Sequence, residues 1–514
     1  MKQAPALEAA RLLAEGIAHL DQAQNQDALN VLTKAAKLNP QDHHLWCVLG
    51  HAEERMGHIE AGRQCFIRAH KLAPDYPLAL RNLAAEELNN GNAATALSLA
   101  DKAVAINPMN EEVVAIMLLA ATTNLAVDAE TLYQRHVRAK EYREAAIVAL
   151  PPVARTSNSI IRIGYFSHHF YRFPLASFLP HVMAAHDRKK FHVSAFAAHG
   201  RVDDITHQYI NSVDSFHDLS TMNDDEAAAY IRQEKIDILI DTSGLVQFNR
   251  FGILARRPAC VQMSWLGYFA STASPAIDAH ITDNFANPLG ITEHLFSEKL
   301  LRLPHSQYAY KPMVADVEVA PLPQIKNGYV TFGWFCATSK LNADALAVYA
   351  AIVAKVVDSR ILFVATSKDL RAEIQRVFAK AGVARHRIIF SPYLAPADYF
   401  RALTSVDICL DCFPMVGGTA VCDAIWMGTP IISMFQARGF GGAAASVLNH
   451  VGMAHWIALD VAGFVDNAVA LANDGEALRG YRANLRDKIK QSPLMNVHPL
   501  TAMLEDIYKA AIKT

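Results

Sequence analysis

The chain has 514 residues, of which 52% are hydrophobic and 19% charged, and its formal net charge is −2. A length of this order predicts about three domains of roughly 150 residues each, and the composition argues against intrinsic disorder. The nearly balanced charge argues against nucleic acid or an anionic membrane as the main partner, and no apolar run reaches the roughly 20 residues of a membrane-spanning helix.

The start of the chain and its cysteines predict a cytoplasmic protein. The residues from Met1 to Pro5 do not lead into the apolar core of a secretory signal. Cys409 and Cys412 form a C-x-x-C pair, but no second cysteine or histidine pair lies near them in the sequence. Reduced, buried thiols are therefore favoured over a zinc site or a disulfide.

A repeat with a period of 34 residues occupies the first part of the chain. Pro40, Pro74 and Pro108 keep this spacing, and small residues recur in the same phase. The period and residue types are those of the tetratricopeptide repeat, a helix pair that buries its apolar face by stacking. We predict a tetratricopeptide-repeat superhelix over residues 1–125, whose surface binds a protein or peptide acceptor or a second copy of the chain as a homodimer.

Two α/β units are predicted after the repeats. A helical linker at 126–158 leads into a first Rossmann-like domain at 159–325, with strands expected at 160–166, 191–197, 236–241 and 260–264 and a helix at 224–234. The same alternation restarts at 328–333 and 359–365, which predicts a second Rossmann-like domain at 326–514 that ends in a helix. Alternating strands and helices are typical of doubly wound parallel sheets, and two such sheets in series create a cleft for a ligand.

A glycine-rich loop at 413–419 follows the buried strand predicted at 406–411. Gly417 and Gly418 let the backbone approach a ligand closely, and the free N–H groups of the helix that opens near Ala420 favour an anion such as a phosphate. Asp423, in the first turns of that helix, is placed to meet a ribose. The loop alone is a weak signal, because a plain packing loop has the same residue types.

From about Leu132 to its C-terminus the chain resembles the O-GlcNAc transferase family, glycosyltransferase family 41, with a SPINDLY-like catalytic region behind the repeats. The matching stretches are RIGYFS (162–167), RRPACVQ (256–262), WLGY (265–268), SEKLLRLP (297–304), KLN (340–342), RIIF (387–390), GGT (417–419) and WMG (426–428). The resemblance implies a GT-B fold of two Rossmann-like domains, an inverting transfer from a UDP-sugar to protein side chains, and no metal or other cofactor.

The resemblance assigns roles to individual residues of the second domain. It implies that Lys340 meets the diphosphate, where a compact cation offsets charge on the leaving UDP. Thr419 matches a phosphate-binding threonine of the family, and Asp423 matches the carboxylate that holds the ribose. Tyr399 stands where the family commonly has a histidine that packs on uracil, and a core tyrosine is an equal alternative.

Other positions depart from the family, mainly around the sugar. Leu266 and Gly267 match the loop near the sugar, but Phe173 replaces a family histidine, and Leu245 replaces another. His169 is a candidate general base, because an imidazole with a pKa near neutrality suits that role. The apolar Phe173 predicts a weaker preference for UDP-GlcNAc than is usual in the family.

The sequence therefore predicts a protein glycosyltransferase that transfers a sugar, GlcNAc first, to Ser or Thr hydroxyls. Two alternatives stay open. One is a family branch with another sugar, either a UDP-glucose N-glucosyltransferase or a GDP-fucose O-fucosyltransferase. The other is a non-catalytic nucleotide-binding scaffold on repeats, although a scaffold has no need of a cation, a phosphate contact and a ribose contact together.

Overall fold

The computed structural model of the chain describes residues 3–22, 24–152, 160–365 and 367–513. Its first part is a row of helix pairs, as the 34-residue period predicts. The helices are α1 (Gln3–Asp21), α2 (Asn25–Leu38), α3 (His43–Arg55), α4 (Ile59–Leu72), α5 (Pro77–Asn89), α6 (Ala93–Ile106), α7 (Glu111–Thr123) and α8 (Ala129–Glu144). Within a pair the helices pack closely because small residues face large ones: a Cβ added at Gly50 of α3 would meet the Phe66 ring of α4 at 2.4 Å.

The predicted linker contains one helix, α8, and the described residues 145–152 that follow it are not helical. Residues 153–159 of that linker lie outside the described residues, and so does the predicted start of the first α/β domain at 159. The boundary at 125 stays a prediction.

The first α/β domain contains a parallel sheet of seven strands in the order β3-β2-β1-β4-β5-β6-β7. Its elements are β1 (Ile161–Ser167), α9 (Leu179–Ala185), β2 (Phe191–Ala197), α10 (Asp204–Asn211), β3 (Ser215–Asp218), α11 (Asp224–Gln233), β4 (Ile238–Asp241), α12 (Phe251–Ala255), β5 (Val261–Ser264), β6 (Ala279–Asp283) and β7 (Lys299–Leu303). The order reverses between β1 and β4, which makes the sheet doubly wound.

The second α/β domain repeats this plan with six parallel strands in the order β10-β9-β8-β11-β12-β13. Its elements are α13 (Pro323–Asn327), β8 (Thr331–Trp334), α14 (Ala343–Lys355), β9 (Arg360–Val364), α15 (Lys368–Lys380), β10 (Ile388–Ser391), α16 (Pro396–Thr404), β11 (Ile408–Leu410), α17 (Thr419–Trp426), β12 (Ile431–Met434), α18 (Ala443–His450), β13 (Ile457–Ala458), α19 (Val461–Asn473), α20 (Gly475–Gln491) and α21 (Val497–Ala511). The fold class predicted from the sequence, repeats followed by two doubly wound domains, is confirmed.

The last helix returns to the first domain. The Tyr508 hydroxyl of α21 lies 3.4 Å from the Tyr165 hydroxyl of β1, and the backbone N–H of Asp187 donates to Glu505 at 2.8 Å. The predicted C-terminal helix is therefore present, and it fastens the second domain to the first.

The repeats are continuous with the α/β domains. Leu88 of α5 and Leu97 of α6 belong to the same buried cluster as Phe166 of β1 and Leu239 of β4, whereas α1 to α4 carry a separate cluster around Leu32. Repeats and second domain also meet, because the buried Arg438 guanidinium donates to the carbonyl of Ala121 near the end of α7 at 3.2 Å. No helix among the described residues combines the length and apolar character needed to cross a membrane.

This division of the core predicts how far the repeats can be shortened. We expect a chain of residues 75–514 to stay folded, with a melting temperature a few degrees lower, because α1 to α4 bury their apolar side chains mainly among themselves. A chain of residues 108–514 loses α5 and α6, and each uncovered leucine costs about 1.5–3 kcal/mol, so we expect aggregation or loss of cooperative unfolding. Thermal unfolding of the two truncated chains checks this, and equal stability of the two would contradict it.

Candidate functional site

The candidate residues lie at the points where the strand order of each sheet reverses. In open parallel sheets, ligands bind outside the carboxyl ends of the strands at such a reversal. In the second domain the reversal lies between β8 and β11, which are followed by the turn that carries Lys340 and by the glycine-rich loop. In the first domain His169 follows β1.

Lys340 lies against the glycine-rich loop. It ends a 3-10 turn, Thr338–Lys340, and its Nζ donates to the Val416 carbonyl at 3.3 Å. Two residues later the Asn342 side chain caps α14 and donates to the Phe413 carbonyl at 2.7 Å. Burial lowers the pKa of Lys340, but the neighbouring Cys412, Cys336 and Asp411 raise it above its ordinary value. The lysine is therefore a fixed cation beside the loop, not a free surface side chain.

A buried carboxylate, Asp411, holds the loop from below. Its Oδ1 accepts from the backbone N–H groups of Cys412 at 2.9 Å and Gly417 at 3.0 Å, and its Oδ2 accepts from the Ser433 hydroxyl at 2.6 Å. Burial raises the pKa of Asp411, although these donors and Lys340 oppose that effect. The carboxylate fixes the shape of the loop and shares its electrostatic environment with Lys340.

The amino end of α17 is open beyond the loop. Gly418 is the N-cap residue and provides no side-chain cap, so the first N–H groups of the helix that begins at Thr419 have no capping oxygen. An uncapped helix start favours an anion. The structure thus brings Gly417, Gly418, Thr419 and Lys340 together, as the sequence predicts for a phosphate site.

Asp423 is buried at the next turn of α17. Its Oδ1 accepts from the Tyr310 hydroxyl at 2.6 Å and its Oδ2 from the Tyr399 hydroxyl at 3.2 Å. Burial raises the pKa of Asp423 to about 7, although both tyrosines lower it. The half-buried Tyr399 ring meets the Phe335 ring edge to face at 6.1 Å, so Tyr399 both positions Asp423 and contributes to an aromatic wall.

The predicted sugar loop has a constrained backbone. Leu266 has a φ of +67°, which is uncommon for a leucine. A Cβ at Gly267 would lie 1.7 Å from the Thr242 carbonyl oxygen, so only glycine fits there. Strained backbone of this kind is held in place by its surroundings and clusters at functional sites.

His169 is a poor proton acceptor in this structure. Its ring is 7% exposed and stacks on Phe173 with ring centres 3.9 Å apart. Burial, helped by His168 and His199, lowers the pKa of His169 to about 3. The imidazole is therefore neutral at neutral pH but weakly basic. No contact among the described residues links it to Lys340 or to the glycine-rich loop, and its role as general base stays a prediction.

Cys336, Asp411 and Cys412 form one group whose ligand atoms lie within 4.8 Å of one another. The C-x-x-C spacing pairs Cys412 with Cys409, but in the fold Cys412 meets Cys336, because β8 and β11 are neighbours. The donor set is a poor metal centre, since both Asp411 oxygens already accept hydrogen bonds and Lys340 adds a positive charge. We propose that it holds no metal.

Sequence reasoning missed several residues of this site. Asp411 lies at the end of a predicted strand, directly before the loop, and a carboxylate at that position could have been identified from the sequence as a site residue. Tyr310 follows β7 and reaches Asp423 from 113 residues away in the sequence, so no local pattern indicates it. Two surface cavities, of about 380 and 410 Å³, are lined by none of these residues and lie elsewhere, so the site rests on the loop geometry and not on a cavity.

Comparisons with known proteins identify a family and a fold for the chain. A sequence model of glycosyl transferase family 41 matches residues 144–318 and 313–504. The probable UDP-N-acetylglucosamine–peptide N-acetylglucosaminyltransferase SPINDLY of Arabidopsis thaliana is 31% identical over 357 residues, which are 68% of this chain and 39% of that protein. The related SEC protein of the same plant is 27% identical over 358 residues, 68% of this chain and 36% of that protein.

The chain thus spans about two fifths of the length of these curated relatives. A solved O-GlcNAc transferase mutant from Thermobaculum terrenum superimposes with a TM-score of 0.92 over 99% of this chain and 98% of that chain, at 23% identity. This likeness confirms the GT-B fold expected from the sequence.

The metal assignment leads to a prediction. We expect protein purified without chelator to contain well below one equivalent of zinc, and added zinc to bind no more tightly than to the Cys336→Ser variant, because Asp411 is saturated and Lys340 repels a cation. Elemental analysis and a competition titration with a zinc indicator measure this. One equivalent of zinc that Cys336→Ser loses would contradict it.

Proposed function

The chain belongs to glycosyl transferase family 41, and we propose that it is an inverting protein glycosyltransferase that uses a UDP-sugar. We propose GlcNAc as the sugar and Ser or Thr hydroxyls of a protein as the acceptor, by analogy with the peptide N-acetylglucosaminyltransferases to which the chain is similar. The observation that carries the proposal is the meeting of Lys340, the glycine-rich loop and the open end of α17 at one strand reversal.

These groups match the needs of the leaving diphosphate. When the acceptor hydroxyl attacks the anomeric carbon, the bond to the UDP oxygen breaks and negative charge grows on that oxygen. Lys340 and the N–H groups at Thr419 are fixed donors that are close to such a charge before the reaction, so they stabilise the transition state without reorganisation. Asp423 lies one helical turn after Thr419 on α17, and we expect the nucleoside to extend from the diphosphate towards it.

We propose that the transfer needs no metal. Enzymes that bind nucleotide diphosphates through Mg²⁺ use carboxylates that are free to coordinate the ion. Here the Asp411 and Asp423 carboxylates are both buried and already hydrogen-bonded, and Lys340 supplies the positive charge.

The repeats are the proposed acceptor surface. Helix α5 lies beside the turn that carries Lys340, and the Ser367 hydroxyl donates to the Asn90 side chain at 2.8 Å directly after α5. An acceptor chain bound along the repeats would therefore arrive at the cleft where the donor is proposed to bind. The alternative of a non-catalytic scaffold is favoured less, since it does not explain a half-buried cation beside an open helix start.

We propose a cytoplasmic location. Cysteines 47, 65, 336, 409, 412 and 422 are free thiols, and unpaired thiols in such number fit a reducing compartment.

The first test replaces Lys340 with alanine. We expect sugar transfer and donor hydrolysis to fall about 100-fold or more, with less than tenfold change in UDP affinity, because charge on the leaving oxygen is largest in the transition state. Release of UDP from UDP-GlcNAc and UDP-glucose, and of GDP from GDP-fucose, gives the rates. Thermal unfolding must confirm that the variant is folded, since Lys340 also faces the buried Asp411.

The matched control is Lys355→Ala. This lysine lies at the other end of α14, where it is exposed, and we expect it to have no effect on rate. Unchanged turnover in a folded Lys340→Ala variant, or an equal loss in Lys355→Ala, would overturn the role of Lys340. No turnover of any donor by the unaltered chain would favour the scaffold.

The second test uses the titration of Asp423. Because burial raises the pKa of Asp423 to about 7, the carboxyl is largely protonated at pH 6 and ionised at pH 8. The ionised form accepts ribose hydroxyls in addition to the tyrosines, so we expect uridine affinity to rise about tenfold from pH 6 to pH 8. Uridine is the probe because it carries no phosphate that titrates in this range.

The ionisation of Asp423 has the opposite effect on the free energy of unfolding, which falls as the pH rises. An unfolded aspartate titrates near pH 4, so between about pH 4 and pH 7 the folded state binds the extra proton and stability falls as pH rises. Asp423→Asn should remove both effects and bind uridine weakly at either pH. A pH dependence that persists in Asp423→Asn would assign it to another group.

A further inference from the structure

Tyr308 carries a buried hydroxyl that the proposed chemistry has not used. It follows β7, in the segment that joins the two domains, and is 2% exposed. Its hydroxyl has no hydrogen-bond partner among the described residues. A buried hydroxyl without a partner is costly, so its retention in a packed site points to a ligand group that completes it.

The hydroxyl points at the glycine-rich loop. A Cβ added at Gly418 would lie 3.5 Å from the Tyr308 oxygen, so this oxygen occupies the side-chain direction of the N-cap residue of α17. The Tyr308 ring packs between Phe178 at 5.1 Å and Phe269 at 6.3 Å, measured between ring centres. Phe269 closely follows the Leu266–Gly267 turn, so the hydroxyl lies where the proposed sugar loop and the phosphate loop approach each other.

We propose that the Tyr308 hydroxyl donates a hydrogen bond to a phosphate oxygen of the bound nucleotide diphosphate. This assignment deepens the proposed function and rests on it. An anion at the open start of α17 sits next to the backbone N–H groups of Thr419 and Ala420, and the Tyr308 oxygen approaches that start from the side that Gly418 leaves free. The first domain thereby contributes a donor to a site otherwise built by the second.

The electrostatics suit a donor. Burial raises the pKa of Tyr308 well above its ordinary value, and Asp283 and Cys422 add to that effect, so the phenol keeps its proton at neutral pH. A neutral hydroxyl that meets a phosphate forms a charge-assisted hydrogen bond, which is among the stronger kinds in proteins.

The test removes the hydroxyl alone. In Tyr308→Phe we expect UDP affinity to fall about tenfold or more, since a hydrogen bond to a charged group is lost, while uridine affinity stays unchanged. Calorimetric titration measures both ligands, and GDP with guanosine serves as the pair for a GDP-sugar enzyme. The melting temperature without ligand should not fall, because an unpartnered hydroxyl contributes no hydrogen bond to the fold.

Tyr209→Phe is the matched control. Tyr209 is fully buried in the first domain with an equally unpartnered hydroxyl, but it packs on Phe170, and we expect its removal to leave both affinities unchanged. Gly418→Ala is a second variant: its methyl group would lie 3.5 Å from the Tyr308 oxygen, between it and the ligand, and should also weaken UDP and not uridine.

Four results would overturn the assignment. Equal UDP affinity in Tyr308→Phe would show that the hydroxyl does not meet the diphosphate. An equal loss for uridine would place the contact at the nucleoside. A lower melting temperature without ligand would reveal a structural role. Failure of the unaltered chain to bind UDP or GDP would contradict the proposed function together with this inference. This result is distinguishable from failure of the Tyr308 assignment alone, because it is seen without any variant.

Discussion

The candidate site depends on one buried carboxylate. Asp411 directly follows β11, one of the two central strands of the second sheet, and its two oxygens accept from the backbone of the glycine-rich loop and from Ser433 on the neighbouring strand. An isolated charge at full burial is strongly unfavourable, and hydrogen bonds from fixed donors together with a nearby cation offset that penalty. The nearby cation is Lys340, which donates to the Val416 carbonyl of the same loop, so the loop that Asp411 shapes also positions the group proposed to meet the diphosphate.

In this arrangement Lys340 interacts with the protein before the ligand binds and is proposed to interact with the diphosphate afterwards. In the free protein it faces the Val416 carbonyl and the negative charge of Asp411. A bound diphosphate would bring further negative charge to the same ammonium group, and the open end of α17 would share it. A cation that the loop has already positioned needs little reorganisation when charge develops on a ligand, which is the condition under which electrostatic stabilisation is most effective. Because the same residues shape the loop and are proposed to meet the diphosphate, we expect substitutions of them to change both the stability of the fold and the rate of transfer.

The sequence predicts the architecture well because the architecture depends on local patterns. The 34-residue period survives as helix pairs, and apolar runs at 160–166 and 191–197 match β1 and β2 within a residue. Strand β3 has no such signal, since Ser215–Asp218 lies at the sheet edge with no buried residue. The contacts of the site are non-local. Cys412 meets Cys336 and not Cys409, and Asp423 meets Tyr310, because strand order and not sequence spacing decides which loops adjoin.

The resemblance to the family assigned roles to residues that no local pattern identified. Their contacts and pKa shifts in the structure then distinguish the roles that fit from the one that does not. Lys340, Thr419 and Asp423 lie on adjoining segments of the second domain, and the neighbours of Lys340 and Asp423 explain the direction of their pKa shifts. His169 shares only the general position, since burial against Phe173 leaves its imidazole weakly basic. A base must bind the proton that it removes, and an imidazole with a pKa near 3 does so poorly at neutral pH. The nucleotide side of the site is therefore better supported by the structure than the proton-transfer side.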